Sequence, residues 1–161
     1  MGVIEVTKDV SALTLTVTSE FAAPATRVWE LWENPRLLER WWGPPTYPAT
    51  FSAHELSPGG TSSYFMTGPD GDQPHGWWRT LAVEPPHSLE FESGIADSEG
   101  QPDPSVPAMT VRVMFTETSA STTRMVITTC YSSAESMELM LRMGMEQGLV
   151  GAVSQIDDLL G

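Results

Sequence analysis

The period of the hydrophobic pattern changes twice along this chain, and the order of those changes restricts the fold more than any other feature. From Ser11, SALTLTVTSEF sets Leu13, Leu15 and Val17 against Thr14, Thr16 and Thr18. Alternation of this kind, rich in β-branched residues, marks a strand with one buried face. The next segment, APATRVWELWENPRLLERWW, moves to a helical period, with Pro24 near its start and Val28, Leu31 and Trp32 on one face. Asn34-Pro35 ends that helix, because a residue before proline avoids the α region. A second short helix, from Pro35 to about Arg40, carries Leu37, Leu38 and Trp41.

After Gly43-Pro44-Pro45 the pattern becomes extended again: about 49 to 56, then TSSYFMTG, GWWRTLAVE, HSLEFESG, AMTVRVMFTET and TTRMVITTCYS. Turn residues separate these runs, which predicts an antiparallel sheet. The polar, proline-rich ADSEGQPDPSVP reads as a mobile loop with strands on both sides of it, and not as a domain linker. A last change of period starts at Ser132-Ser133-Ala134-Glu135, a capping-box spacing, and predicts one long helix to about Leu160, roughly 40 Å in length. Met137, Leu141, Met145, Gly148, Ala152, Ile156 and Leu159 share the face that must bury against the sheet. The small residues Gly144, Gly148, Gly151 and Ala152 either let helix and sheet approach closely or leave a cavity between them.

A length of 161 residues suits one domain with one core, so the chain is read as a single domain over 1–161 with its structured part from about 11 to 160. The net charge of −13 repels nucleic acid and anionic membrane surfaces, which disfavours both as partners. Cys130 is the only cysteine, which excludes an intramolecular disulfide, and its expected role is packing. The N-terminal segment lacks the pattern of a secretory signal, Val6 stands where a myristoylation motif needs Ser or Thr, and no apolar run is long enough to span a bilayer. A cytoplasmic location is the expectation.

Taken in order, FAAPATRVWELWENPRLLERWWGPP, LSPGG, GPDG, VEPPHSLEF and the terminal MGMEQGL resemble the activator-of-Hsp90-ATPase-like branch of the START/Bet v 1 (SRPBCC) superfamily. The resemblance spans about residues 13 to 160. It implies an α+β helix-grip fold, a curved antiparallel sheet wrapped around the C-terminal helix, with a cavity between them that takes apolar or amphipathic small molecules. It also implies that the two short helices plug the open end of the sheet. There the large side chains of Trp41 and Trp42 supply apolar area that a short helix otherwise lacks. Two departures stand out: Leu149 occupies a position where the family often has Trp, and GWWRTLAVEPP is spaced a little more widely than the commoner pattern.

Strand parity predicts the inward rows Ser62, Tyr64, Met66; Leu89, Phe91, Ser93; Met109, Val111, Val113, Phe115; and Met125, Ile127, Thr129, Tyr131. The proposed ligand lining is Tyr64, Met66, Trp78, Phe91, Phe115, Tyr131, Met145 and Leu149, with Arg79 as a clamp for a ligand carboxylate or a surface ion pair. The pattern leaves open which of Trp77 and Trp78 faces inward. His54 and Tyr64 are the candidate acid or base should the pocket be catalytic, although a surface position for His54 is the commoner case; His75 and His87 fall in turn sequence. No zincin spacing, phosphate loop or nucleophile elbow occurs, and no cofactor or metal is called for.

The functional expectation is non-catalytic binding of a small hydrophobic molecule. A cyclase- or hydrolase-like enzyme and a module acting on an Hsp90-type ATPase, the second implied by the family resemblance, are the alternatives. Leu139, Met143 and Val150, on the back of the long helix, suggest a homodimer.

Overall fold

The computed structural model describes residues 2–160, in which the alternating segments build one antiparallel sheet of eight strands. These are β1 (Gly2–Asp9), β2 (Thr14–Phe21), β3 (Ala49–His54), β4 (Thr61–Met66), β5 (His75–Glu84), β6 (Ser88–Ala96), β7 (Met109–Ser119) and β8 (Thr122–Cys130). Their spatial order is β1-β2-β8-β7-β6-β5-β4-β3, so β2 and β3, consecutive in the chain, lie near opposite edges. The connection between them must therefore cross the sheet, and it does so as α1 (Ala25–Glu33) and α2 (Pro35–Leu38). This crossing turns two short amphipathic helices into the plug at one end of the curved sheet.

Bulges between Phe51 and Ala53 in β3, Thr80 and Ala82 in β5, and Glu117 and Ser119 in β7 bend the strands and increase their twist. The one in β5 lies within GWWRTLAVEPP, where an unpaired residue accounts for a wider spacing. The helix-grip fold is the one expected, with one more strand than the alternation predicts. β1 escaped detection because it is an edge strand whose Ile4 and Val6 are exposed, so its apolar residues do not report a buried face.

All four predicted inward rows are buried or half-buried. Ile127, Val113, Phe115, Leu89, Phe91 and Trp78 form the floor, and Val28, Trp29, Leu31 and Trp32 of α1 pack down onto it. Trp32 sits at the centre of an aromatic cluster, with ring centroids 4.8 Å from Trp41, 5.8 Å from Trp42, 6.1 Å from Trp78 and 6.2 Å from Phe91. Trp41 is fully buried, and its indole N–H donates to the Leu31 carbonyl at 2.9 Å. The α1 N-terminus has no capping side chain of its own; the Ala25 N–H instead donates to the Glu117 carboxylate on β7 at 3.2 Å. In α2, Asn34 caps by accepting from the Arg36 N–H.

Instead of running unbroken from Ser132, the terminal helix is divided into α3 (Ala134–Arg142), α4 (Met145–Val153) and α5 (Ile156–Leu160). Its cap is Ser133, which accepts from the Ser136 N–H at 3.1 Å, one residue later than the capping-box spacing suggested. Gly144 causes the first division: at φ 88°, ψ 20° it is left-handed, a conformation that ends a helix and that a side chain strains. The second division, at Ser154 and Gln155, places the Gln155 amide where it donates to the Gly43 carbonyl at 2.7 Å and the Trp41 carbonyl at 3.2 Å. The C-terminal helix is thereby tied to the exit of the plug.

A Gly144→Ala variant is expected to lose about 1–2 kcal/mol of stability from the left-handed strain alone. Chemical denaturation checks this, and an unchanged midpoint would mean that the backbone relaxes at no cost. Cys130 is exposed, not packed, because it falls on the outer parity of β8.

Candidate ligand cavity

Sheet and helix do not meet along their whole length, and a cavity of about 500 Å³ remains between them. Volumes of roughly 300–1,000 Å³ are usual for small-molecule sites. Its floor is the inner parity of four strands: Tyr64 and Met66 on β4, Ser93 on β6, Met109 and Val111 on β7, Ile127 and Thr129 on β8. The roof is Met140 of α3, the linking Met143 and Gly144, and Met145, Gly148 and Leu149 of α4. Trp42 and Pro44 close the plug side, and Tyr47, Asp72 and Pro74 from two loops form the remaining rim.

The glycines of α4 separate two cases that look alike in sequence. A Cβ added at Gly148 would meet nothing within 4 Å, so the missing side chain is left as open volume. A Cβ at Gly151 would lie 3.5 Å from Cβ of Pro44, so there the glycine serves close packing against the plug. Methionines on the roof add unbranched, polarizable surface that adapts to irregular contents.

Polar groups are few and unevenly satisfied. The Thr129 hydroxyl and the Trp42 indole N–H are buried without a hydrogen-bond partner. Tyr64 stacks on Phe51 at 4.9 Å, its ring lying over Gly76, where a Cβ would come within 2.3 Å of the phenol carbon. The indole N–H groups of Trp42 and Trp78 lie near the Tyr64 hydroxyl and favour its ionised form without forming hydrogen bonds of normal geometry. Burial outweighs them and raises the phenol pKa, so Tyr64 is neutral at pH 7. At the rim the Tyr47 hydroxyl donates to Asp72 at 2.9 Å, a hydrogen bond that also raises the Tyr47 pKa.

A family model described as activator of Hsp90 ATPase homolog 1-like protein matches residues 22–161. The chain belongs to this family. No curated protein sequence matches the chain. Among solved structures it is similar to a crystal structure of protein Ms6760 from Mycobacterium smegmatis, at 46% identity and TM-score 0.91 over 99% of this chain and 97% of that one. It is equally similar to a solution structure of a protein from Arthrobacter aurescens, at 46% identity and TM-score 0.92 over 96% and 89% of the two chains. A protein from Silicibacter pomeroyi that bears the family name shares the fold at 19% identity, with TM-score 0.74 over 91% and 96%.

In this Hsp90-activator-like domain, Tyr64, Met66, Met145 and Leu149 from the proposed lining meet at the cavity. Trp78 faces inward but lies in the packed core beneath it, stacked on Phe91 at 4.2 Å, and Phe115 packs at the edge of Trp29. Trp77 takes the outer face over Gly94. Tyr131 stands behind the wall; its hydroxyl donates to the Met145 sulfur at 3.1 Å, and burial with the nearby Glu146 pushes its pKa up to about 12. Arg79 does not reach the cavity: it lies on the outer face in an ion pair with Glu92, one strand away. Met143, assigned above to the back of the helix, is instead an exposed residue of the rim.

Trp42 and Thr129 lay outside the proposed lining: strand parity placed Thr129 on the inner face, and the plug motif left Trp42 between packing and the pocket rim. Nothing local could bring Tyr47 and Asp72 together, because two separate loops meet there. Among the described residues no cluster suited to a metal ion forms, and no helix is long and apolar enough to cross a membrane.

His54 is neither at the surface nor at the cavity. Its Nε2–H donates to the carbonyl of Trp32 in the last turn of α1 at 2.7 Å, and its Nδ1 accepts from the Ser62 hydroxyl at 2.8 Å. This fixes the neutral tautomer, and burial lowers its pKa from 6.5 against the opposing pull of the Trp32 carbonyl. The contribution of neutral His54 to stability is therefore complete above the unfolded value of 6.5 and is lost as pH falls through the lower folded value. His54→Gln should flatten the decline in stability measured by denaturation from about pH 7.5 to about pH 5. An equally steep decline in the variant would assign that acid sensitivity to other groups.

Proposed function

We propose that this protein holds a small hydrophobic or amphipathic molecule in the cavity between the sheet and α4, without transforming it. The observation that carries the proposal is the open volume beneath Gly148, walled by aliphatic, aromatic and methionine side chains. Close packing normally eliminates such space, since an interior void forfeits dispersion contacts on every side. A binding role also fits the chemistry of the walls. Among the described residues, Asp72, Tyr47 and the neutral Tyr64 are the ionisable groups there; the hydrogen bond from Tyr47 to Asp72 raises the Tyr47 pKa and so holds that phenol neutral, and burial does the same for Tyr64. His54 has both ring nitrogens engaged away from the cavity, which removes the partner that an acid–base mechanism would need.

Native mass spectrometry of the purified protein, followed by denaturing extraction, tests the proposal. A small apolar passenger at one per chain is the expected result. Absence of any passenger, together with no thermal shift across a panel of neutral and charged amphiphiles, would overturn it. The family's description favours one second reading, a module that contacts an Hsp90-type ATPase. Stimulation of such an ATPase by the purified domain is the measurement that would support that reading.

A further inference from the structure

The charge and hydrogen-bonding character of the occupant can be read from the same walls, and this step rests on the container reading above. We infer that the cavity selects a neutral molecule bearing a hydrogen-bond acceptor, a carbonyl compound, and rejects carboxylate-bearing lipids of similar shape.

Two observations act together. First, the interior presents donors that lack acceptors. Thr129 is almost wholly buried and its hydroxyl has no partner, although its neighbours on the inner face of β8, Ile127 and Met125, are apolar and correctly packed. The Trp42 indole N–H, which can only donate, lies near the Tyr64 hydroxyl but makes no hydrogen bond of normal geometry with it. Buried polar side chains in folded proteins are nearly always partnered, and a donor left unmade is costly in low dielectric. An occupant with a carbonyl oxygen satisfies at least one of these groups, whereas a hydrocarbon satisfies neither.

Second, the walls offer no counter-charge to an anion: among the described residues no lysine, arginine or histidine lines the cavity, and Asp72 places a carboxylate on the rim. Lys8, Arg36, Arg79, Arg112 and Arg124 are committed to ion pairs with Glu146, Glu39, Glu92, Glu90 and Glu20. The whole chain adds a field of net charge −13. A carboxylate entering this space sheds its hydration without gaining a counter-charge, and two neutral donors do not offset that loss. A ketone, ester or amide keeps the acceptor and avoids the desolvation of a full charge.

The test uses three probes of one shape on the full chain near pH 7.5: 2-acetylnaphthalene, 2-naphthoate and 2-ethylnaphthalene, with affinities measured by calorimetry or tryptophan quenching. The ketone should bind about tenfold or more tightly than the carboxylate, and several-fold more tightly than the hydrocarbon. Thr129→Val, which keeps the side-chain shape, should reduce the advantage of the ketone over the hydrocarbon. Asp72→Asn should strengthen binding of the carboxylate with little effect on the ketone.

Equal or tighter binding of 2-naphthoate would overturn the charge selection while leaving the container reading intact. Equal binding of ketone and hydrocarbon would overturn the acceptor requirement. Failure of all three probes to bind would count against the container itself, and this inference would fall with it.

Discussion

Replacing Gly148 by phenylalanine is expected to leave the protein folded and to reduce the affinity for its occupant by about a hundredfold or more, because the ring takes the volume that the occupant needs. Gly148 lies inside α4, has no left-handed requirement and faces open space. A Cβ there meets nothing within 4 Å. Glycine in a helix interior costs about 1 kcal/mol relative to alanine, so Gly148→Ala should raise the melting temperature slightly while leaving room for the ligand. The phenylalanine variant gains helix propensity and buries a ring, so its melting temperature should be unchanged or higher. The two variants thus separate stability from occupancy. Undiminished passenger in the phenylalanine variant, measured by native mass spectrometry, would place the binding site elsewhere.

Removing the Trp32 side chain should have the largest effect on folding. Trp32 is completely buried, touches Trp41, Trp42, Trp78, Phe91 and Phe115 with its ring, and directs its indole N–H at the Met125 sulfur at 3.4 Å. With Val28, Trp29 and Leu31 it holds α1 to the sheet. Trp→Ala in a packed core costs about 3–5 kcal/mol, and in a chain of this size that lowers the melting temperature by about 10 °C or more. Trp77, on the outer face, provides the comparison: Trp77→Ala should cost a fraction of this. Similar losses for the two variants in denaturant titrations would contradict the placement of Trp32 at the centre of the core.

The functional residues divide according to how local their determinants are. Tyr64, Met66 and Thr129 could be placed on the inner face from alternation alone, because a shift of one residue would turn an entire apolar row toward solvent. Met145 followed from the helical period in the same way, whereas that period puts Leu149 only on the flank of the face. Alternation also makes Trp78 and Arg79 mutually exclusive on that face: Trp78 takes the interior, and Arg79 finds Glu92 outside. The depth of an inward residue is another matter. Trp78, Phe91 and Phe115 share parity with the cavity floor, yet α1 descends on them and not on Ser93 or Thr129. His54 was similarly undecidable from its own segment, since its partners are the end of α1 and a serine on the adjacent strand.

By itself the sequence determined the fold class, the inner and outer faces of the strands and the buried side of the terminal helix. All of these depend on periods of two or 3.6 residues that neighbouring positions report together. Only the tertiary structure decided where that helix breaks and whether a glycine on it stands for contact or for space. Gly148 and Gly151 are three residues apart in one helix; Pro44 lies opposite one of them and nothing lies opposite the other. What stands across a gap belongs to a distant part of the chain, and no local pattern encodes it.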